Sequence, residues 1–246
     1  MTVSPNAGAG PTPEDNVAYA WYVAVLLTVG YVCAFIDRII VGLLTPAIQA
    51  DLGLSDTQAG LLQGVAFALT YTLFGLPLGW LADRGNRKRI LVAGMTIWSV
   101  MTAACGLAGS FGPLFMSRVG VGIGEATLNP CAASLLGDYF PAATRPKAFG
   151  LYAAAPGLGT IISFTGGGLL YAFLQELPSV SLPLIGALKP WQAMFILVSL
   201  PGVIPALLLC FTLKEPQRRH QSTQNRATSI IAFFRQNHAT VVYHHL

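Results

Sequence analysis

Charge is scarce in this chain: only 10% of its 246 residues are Asp, Glu, Lys or Arg, while 54% are hydrophobic. Soluble domains usually carry about 25% charged residues, so this composition argues for a membrane protein. The small net charge of +4 lies in loops between apolar runs and forms no basic stripe with interleaved aromatic residues. The sequence therefore predicts a lipid bilayer as its surroundings and no nucleic-acid partner.

The residue patterns that usually carry enzymatic or metal chemistry are missing from the apolar runs. All four histidines lie after the last run, and no two of the four cysteines form a Cys-x-x-Cys pair. A free cysteine in an apolar run behaves as a small buried hydrophobe. The chain also lacks the Gly-Lys-Ser or Gly-Lys-Thr loop that holds nucleotide phosphates. The sequence therefore predicts no enzyme, no metal, no cofactor and no ATP-driven step.

Six apolar runs are each long enough to cross a bilayer, which takes roughly 20 helical residues. We therefore expect an all-α membrane protein with six transmembrane helices. The predicted spans cover residues 19–44, 57–80, 90–109, 112–136, 148–174 and 191–213. Residues 1–18 are predicted to be a disordered tail, 19–213 the membrane domain and 214–246 a polar linker, with an irregular loop at 175–190.

The distribution of Lys and Arg predicts how these spans are oriented. Six spans place both termini on one side, which then carries eleven Lys and Arg, while the other side carries only Lys189. Short loops rich in Lys and Arg stay in the cytoplasm. We therefore expect both termini to be cytoplasmic, in a multi-pass protein of a bacterial inner membrane.

Four ionisable residues fall within the predicted spans: Asp37, Arg38, Arg118 and Glu125. A charge at the bilayer centre costs at least ~2.5–3.5 kcal/mol, so such residues usually face a bundle interior or a wet cavity. We expect Asp37 to pair with Arg38 or Arg118 and to stay charged, while Glu125 takes up and releases a proton. The alternative is a structural charge cluster that only holds the first and fourth spans together.

Small residues in the fourth and fifth spans indicate close packing around these charges. Gly120 and Gly124 are four residues apart and share a helix face, so a neighbouring backbone can approach closely. Pro156, with Gly159 beside it, permits a bend in the fifth span. The alternative for these glycines is simple helix packing without movement.

A short cationic turn separates the second and third spans. It begins at Gly79 and sets one acid, Asp83, beside Arg84, Arg87 and Lys88. The pattern Gly-x-Leu-Ala-Asp-Arg, followed by Arg-Lys, resembles the signature loop between helices 2 and 3 of the major facilitator superfamily of secondary transporters. Asn86 stands where that family usually has a glycine.

The resemblance covers residues 19–213 and extends to the charges inside the spans. Asp37-Arg38 in the first span, and Arg118 with Gly-Glu-Ala at 124–126 in the fourth, are similar to the Spinster-like branch of the superfamily. The resemblance implies that the turn is a gate whose acid contacts the other half of a full transporter. Within this chain we expect Asp83 to pair with Arg145.

The resemblance also implies the architecture and the activity. The full fold has two six-helix halves, each built of two inverted three-helix repeats, and this chain has one half and stops before an expected seventh span. The implied function is secondary active transport, coupled to protons, of a small or amphipathic, lipid-like organic solute, together with a C-terminal half or a second copy. The alternatives are half of an organic-anion symporter and a non-transporting membrane protein left by truncation.

Overall fold

The computed structural model describes residues 16–177, 180–182, 186–216 and 218. The predicted tail and most of the predicted linker lie outside these residues. In chain order the elements are α1 Val17–Leu52, α2 Asp56–Gly60, a π-helical turn Leu61–Val65, α3 Ala66–Arg84, α4 Arg87–Gly106, α5 Phe111–Glu125, α6 Leu128–Tyr139, α7 Arg145–Ala153, α8 Ala155–Ile162, a π-helical turn Ser163–Gly167, α9 Gly168–Glu176, β1 Val180–Leu182, β2 Gly186–Leu188 and α10 Pro190–Thr212.

These elements group into the six predicted spans, and the expected all-α architecture is confirmed apart from the short strands β1 and β2. Span 1 is α1, span 2 runs from α2 through α3, span 3 is α4, span 4 is α5 with α6, span 5 runs from α7 through α9, and span 6 is α10. All except span 4 are long and apolar enough to cross a membrane as one continuous helix. Span 4 is broken after Glu125 into helices of 15 and 12 residues.

The turn between spans 2 and 3 is built around Asn86, the residue that departs from the family pattern. Its side chain caps α4, because its Oδ1 accepts a hydrogen bond from the backbone N–H of Arg89 at 2.8 Å. Asn is among the best residues at this position because it satisfies a free N–H of the first helical turn. The departure therefore preserves a tight turn and a firm start for α4.

The stretch predicted to be an irregular loop contains a short β-hairpin instead. Val180–Leu182 pairs antiparallel with Gly186–Leu188. Valine favours the extended backbone of a strand, although three residues per strand are too few to predict from sequence. Beyond the hairpin, Asp51 at the end of α1 accepts hydrogen bonds from Lys189 and from Trp191 Nε1. We call this end of the bundle the hairpin end.

At the opposite end, which we call the linker end, α1 begins and α10 ends. Two buried apolar clusters fill the bundle, one towards each end. In spans 1, 3 and 6, 44–56% of the most apolar stretch is buried within the chain. The buried share of that stretch is only 11% in span 2 and 22% in span 5. Spans 2 and 5 therefore present most of their apolar surface to the surroundings of this chain.

Candidate functional site

The four intramembrane charges meet at one place between α1 and α5. Asp37 and Arg118 are each 2% exposed and Glu125 is fully buried. Charged groups are almost never buried this deeply unless they are paired or functional. The structure therefore brings together all four residues that the sequence singled out within the spans.

Arg38 and Glu125 form the ion pair of this cluster. The Nε–H of Arg38 donates to Oε2 of Glu125 at 2.6 Å. The Arg38 guanidinium also lies 4.7–4.9 Å from the ring centroids of Phe35, Phe67 and Tyr71, within cation–π distance. The Arg38 side chain remains 19% exposed. Arg38 is therefore held by one carboxylate and three aromatic rings while part of its side chain stays exposed.

The partner of Asp37 differs from the prediction. Thr102 on α4 donates a hydrogen bond to Oδ2 of Asp37 at 3.1 Å, and Asp37 forms no ion pair with any residue that the structure describes. Successive helical residues point about 100° apart, so the side chains of Asp37 and Arg38 leave α1 towards different neighbours. Depth along the helix was predictable from the sequence, and this angular difference was not.

A second polar network lies on the linker side of the charges. Asn129 Nδ2 donates to the Tyr71 hydroxyl at 2.7 Å, and the Tyr152 hydroxyl donates to Asn129 Oδ1 at 2.8 Å. Tyr31 stacks on Tyr152 with ring centroids 4.7 Å apart. This network joins spans 1, 2, 4 and 5, and sequence reasoning missed it. The available signal was an isolated asparagine within an otherwise apolar stretch.

The break in span 4 falls between the ion pair and this network. The Thr127 hydroxyl donates to the backbone oxygen of Gly124 at 2.8 Å. A Cβ on Gly124 would lie 2.7 Å from both Gly94 O and Trp98 N, so the backbones of α4 and α5 are in contact there. In span 5, α7 ends at Ala153 and α8 begins at Ala155, next to Pro156. The bend expected at this proline stays a prediction.

The other two packing glycines lie against different kinds of neighbour. A Cβ on Gly159 would be 3.0 Å from the backbone oxygen of Val32, so spans 1 and 5 also approach closely. A Cβ on Gly120 would meet the side chain of Met101 at 2.6 Å. Backbone contact thus occurs at Gly124 and Gly159, while Gly120 accommodates a flexible side chain.

In the cationic turn, Arg87 is the buried member. Its Nε–H donates to Glu215 at 2.6 Å, and its Nη1 pairs with Asp138 and donates to Ser134 Oγ at 2.9 Å. Nη2 donates to the backbone oxygen of Pro216 at 3.0 Å. Sequence reasoning missed Asp138 and Glu215. Their positions could have identified them, since both acids follow apolar runs that end on the same side of the membrane as the turn.

The other charged residues of the turn are exposed or half-buried, and the predicted pairing of Asp83 differs from what the structure shows. Arg145 donates to the backbone oxygen of Phe140 at 3.3 Å, and the expected ion pair with Asp83 is not formed. Asp83 makes no ion pair within the part of the chain that the structure describes. The Arg84 guanidinium lies 4.4 Å from the Trp80 ring centroid. A Cβ on Gly79 would lie 3.8 Å from the Cβ of Pro130, an ordinary van der Waals contact. Lys88 contributes its backbone N–H to Glu215.

Comparison with known proteins supplies the family. The model of the Major Facilitator Superfamily matches residues 27–243. The chain is 31% identical over 185 residues to the probable L-galactonate transporter of Escherichia coli K12, covering 74% of this chain and 37% of that protein. It is 35% identical over 150 residues to the sphingosine-1-phosphate transporter SPNS2 of Mus musculus, covering 58% of this chain and 26% of that protein.

A solved structure with a similar fold is that of a bacterial homologue of the human lysosomal transporter Spinster, inward-facing and unoccupied. The two share 34% identity with a TM-score of 0.75, over 94% of this chain and 50% of that one. The chain thus spans half or less of the length of these relatives. Because the family model matches residues 27–243 and the fold is similar to that of a Spinster homologue, the chain belongs to the major facilitator superfamily and covers the N-terminal half of that integral-membrane fold.

Proposed function

We propose that the chain is the N-terminal half of a proton-coupled secondary transporter of organic anions. The observation that carries this proposal is the ion pair between the partly exposed Arg38 and the buried Glu125. An arginine guanidinium matches the geometry of carboxylate and phosphate groups, which it binds through two parallel hydrogen bonds. A guanidinium already engaged by a buried carboxylate can therefore exchange that partner for a substrate anion.

Protonation of Glu125 is the step that couples the two events. A neutral Glu125 no longer pairs ionically with Arg38, which then has an uncompensated charge and a higher affinity for an incoming anion. Loss of the proton restores the pair and weakens the hold on that anion. Proton binding and anion binding then favour each other, which is the requirement for linked transport.

The substrate class is an organic solute with a carboxylate or a phosphate. The L-galactonate and sphingosine-1-phosphate named in the two relatives are both anions, one small and polyhydroxylated, the other amphipathic and lipid-like. The aromatic rings of Phe35, Phe67 and Tyr71 lie beside Arg38. They provide apolar contact beside the charge for either kind of solute.

The substrate cavity is completed by a second half. Substrates of this fold bind at the interface between the two repeats or halves, and the sparsely buried spans 2 and 5 provide the surface for such an interface. The eleven-to-one distribution of Lys and Arg favours cytoplasmic termini. We place the protein in a bacterial inner membrane with the linker end inside.

The experiment uses the chain fused to a C-terminal half and reconstituted in liposomes, with sugar acids and lysophospholipids as labelled solutes. Glu125→Gln should abolish accumulation driven by a pH gradient, because glutamine cannot bind or release the proton. Exchange of labelled for unlabelled anion should persist. Glu176→Gln, at an exposed acid at the end of α9, is the matched control and should behave as wild type.

Two outcomes would contradict this proposal. Accumulation by Glu125→Gln with the wild-type pH dependence would make Glu125 structural. Absence of transport of every anion by the fused wild-type protein would favour the non-transporting alternative. The unfused chain is the negative control, because one half alone exposes a cavity face that is costly to leave unpaired in lipid.

We also propose that Asp83 is a gate residue, because it is exposed and forms no ion pair with a described residue, while its neighbour Arg87 is already engaged. In the fused protein, Asp83→Asn should slow transport and leave expression unchanged, since no contact of the described half is lost. The rate of anion exchange and the amount of protein in the membrane are the two measurements. An unchanged exchange rate would exclude the gate.

A further inference from the structure

A small cavity lies between the buried charges and the hairpin end. Its volume is about 10 Å³. Arg118 forms part of its wall, and the other lining residues include Thr45, Gln49, Ala59, Leu62, Leu114 and Phe195. These come from spans 1, 2, 4 and 6, so the cavity lies inside the bundle. Leu54, in the loop between α1 and α2, extends the lining to the hairpin end.

Arg118 is the unusual member of this wall. It is 2% exposed, and its Nε and Nη1 find no hydrogen-bond acceptor among the residues that the structure describes. A buried donor without an acceptor costs about 1–3 kcal/mol, and more when the group is charged. A bound water can supply the acceptor that these two donors lack among the described residues.

The dimensions of the cavity decide which acceptor it can be. A space of roughly 10–15 Å³ accommodates one water molecule, provided that two to four polar groups surround it. Arg118 supplies donors and Gln49 supplies a second polar group of the lining. The Thr45 hydroxyl is already engaged, since it donates to the backbone oxygen of Val41 at 2.7 Å and accepts from Gln63 Nε2 at 2.8 Å. Gln49 already donates through Nε2 to Asp56 at 2.9 Å, so its Oε1 is the acceptor that a water can use. Organic anions are far larger than this space.

We propose that this cavity is a single-water site held by Arg118, and that it is the solvent contact of the buried charges at the hairpin end. It is distinct from the exposed part of Arg38, which does not line this cavity. The buried charges then have two separate contacts, one for an organic anion and one for water. The inference concerns the chain alone and holds whichever solute the full transporter carries.

Radiolytic footprinting of the chain in lipid nanodiscs tests this site directly, because hydroxyl radicals formed at a bound water modify the side chains that touch it. Phe195 and Leu114, which are 0% and 1% exposed, should be modified. Phe140 and Leu135, equally buried at 2% and 0% but away from the cavity, are the matched controls and should not be. Unmodified Phe195 and Leu114 would overturn the proposal. Equal modification of both pairs would also overturn it, since it would indicate bulk water in a loosened bundle.

A cavity-filling substitution provides a second test, because the change in Tm has opposite signs for a water-filled and an empty cavity. Ala59→Val adds two methyl groups at the wall. If the cavity holds a water on Arg118, displacing it should lower Tm; filling an empty cavity should raise Tm. Ala187→Val, on the exposed part of β2, is the matched control and should leave Tm unchanged. In an Arg118→Met background, Ala59→Val should no longer lower Tm. A rise in Tm in the wild-type background would overturn the water site, and footprinting decides if the Arg118→Met variant does not fold.

Discussion

Replacing Arg87 with alanine is expected to lower the free energy of unfolding by about 3 kcal/mol, the low end of the range for breaking a buried ion pair. Arg87 is fully buried and ties together the start of α4, the end of α6 and the residues after α10. Its removal leaves Asp138 and Glu215 close together without a cation. The low end applies because both carboxylates keep some contact with solvent.

The measurement is unfolding of the detergent-solubilised chain by a denaturing detergent, followed by circular dichroism. Arg89→Ala is the matched control, because Arg89 is an exposed arginine in the same turn of the same helix, and it should change stability by less than about 0.5 kcal/mol. Arg87→Lys should fall between the two, since lysine keeps the charge and loses the planar fork of donors. Equal stability of the two alanine variants would show that the charge network contributes nothing.

The fold was largely predictable because a bilayer leaves few choices. Backbone polar groups must be satisfied within lipid, so long apolar runs are helices, and the runs at 90–109 and 191–213 match α4 and α10 within a few residues. The interruption of span 4 was not predictable from hydropathy. It depends on Thr127, whose hydroxyl bonds back to Gly124, and on the close packing of Gly94 against both.

The candidate site was predicted as a set of residues and not as a set of contacts. Rarity of charge identified Asp37, Arg38, Arg118 and Glu125, because each is costly in lipid. Which acid meets which base depends on how each helix is rotated about its axis. That rotation pairs Arg38 with Glu125 and brings Thr102 within hydrogen-bond distance of Asp37. The partners of Arg87 were missed for a similar reason, since Asp138 and Glu215 are distant in sequence and meet it only after the helices pack.

The second large effect is expected at Gly94, where α4 crosses the break in span 4. A Cβ at this position would lie 1.9 Å from Thr127 Oγ1 and 2.7 Å from the backbone oxygen of Gly124. Overpacking of a filled core costs about 1–3 kcal/mol and occasionally more. Because one of the two contacts is with backbone, α4 and α5 must separate, and we expect Gly94→Ala to cost about 3 kcal/mol.

Gly137→Ala is the matched control for this substitution. Gly137 is also within a helix of the bundle, and a Cβ there meets nothing within 4 Å. Alanine is the better helix former by up to about 1 kcal/mol, so this variant should be as stable as wild type or more stable. Both variants are measured by the same detergent titration. If Gly94→Ala lowers stability while Gly137→Ala does not, the loss is due to contact where α4 crosses span 4. Equal stability of the two variants would contradict it.

A double substitution separates the two contacts of Gly94. Thr127→Ala removes the hydroxyl that would lie 1.9 Å from a Cβ at position 94, and it leaves the backbone oxygen of Gly124 at 2.7 Å and the Cβ of residue 127 at 2.8 Å. The combination with Gly94→Ala should therefore recover part of the lost stability and not all of it. Full recovery would mean that only the hydroxyl is in the way and that the helices need not move. Partial recovery would attribute the remaining loss to the contacts that stay, with the backbone oxygen of Gly124 and the Cβ of residue 127, and so to the close approach of α4 to span 4.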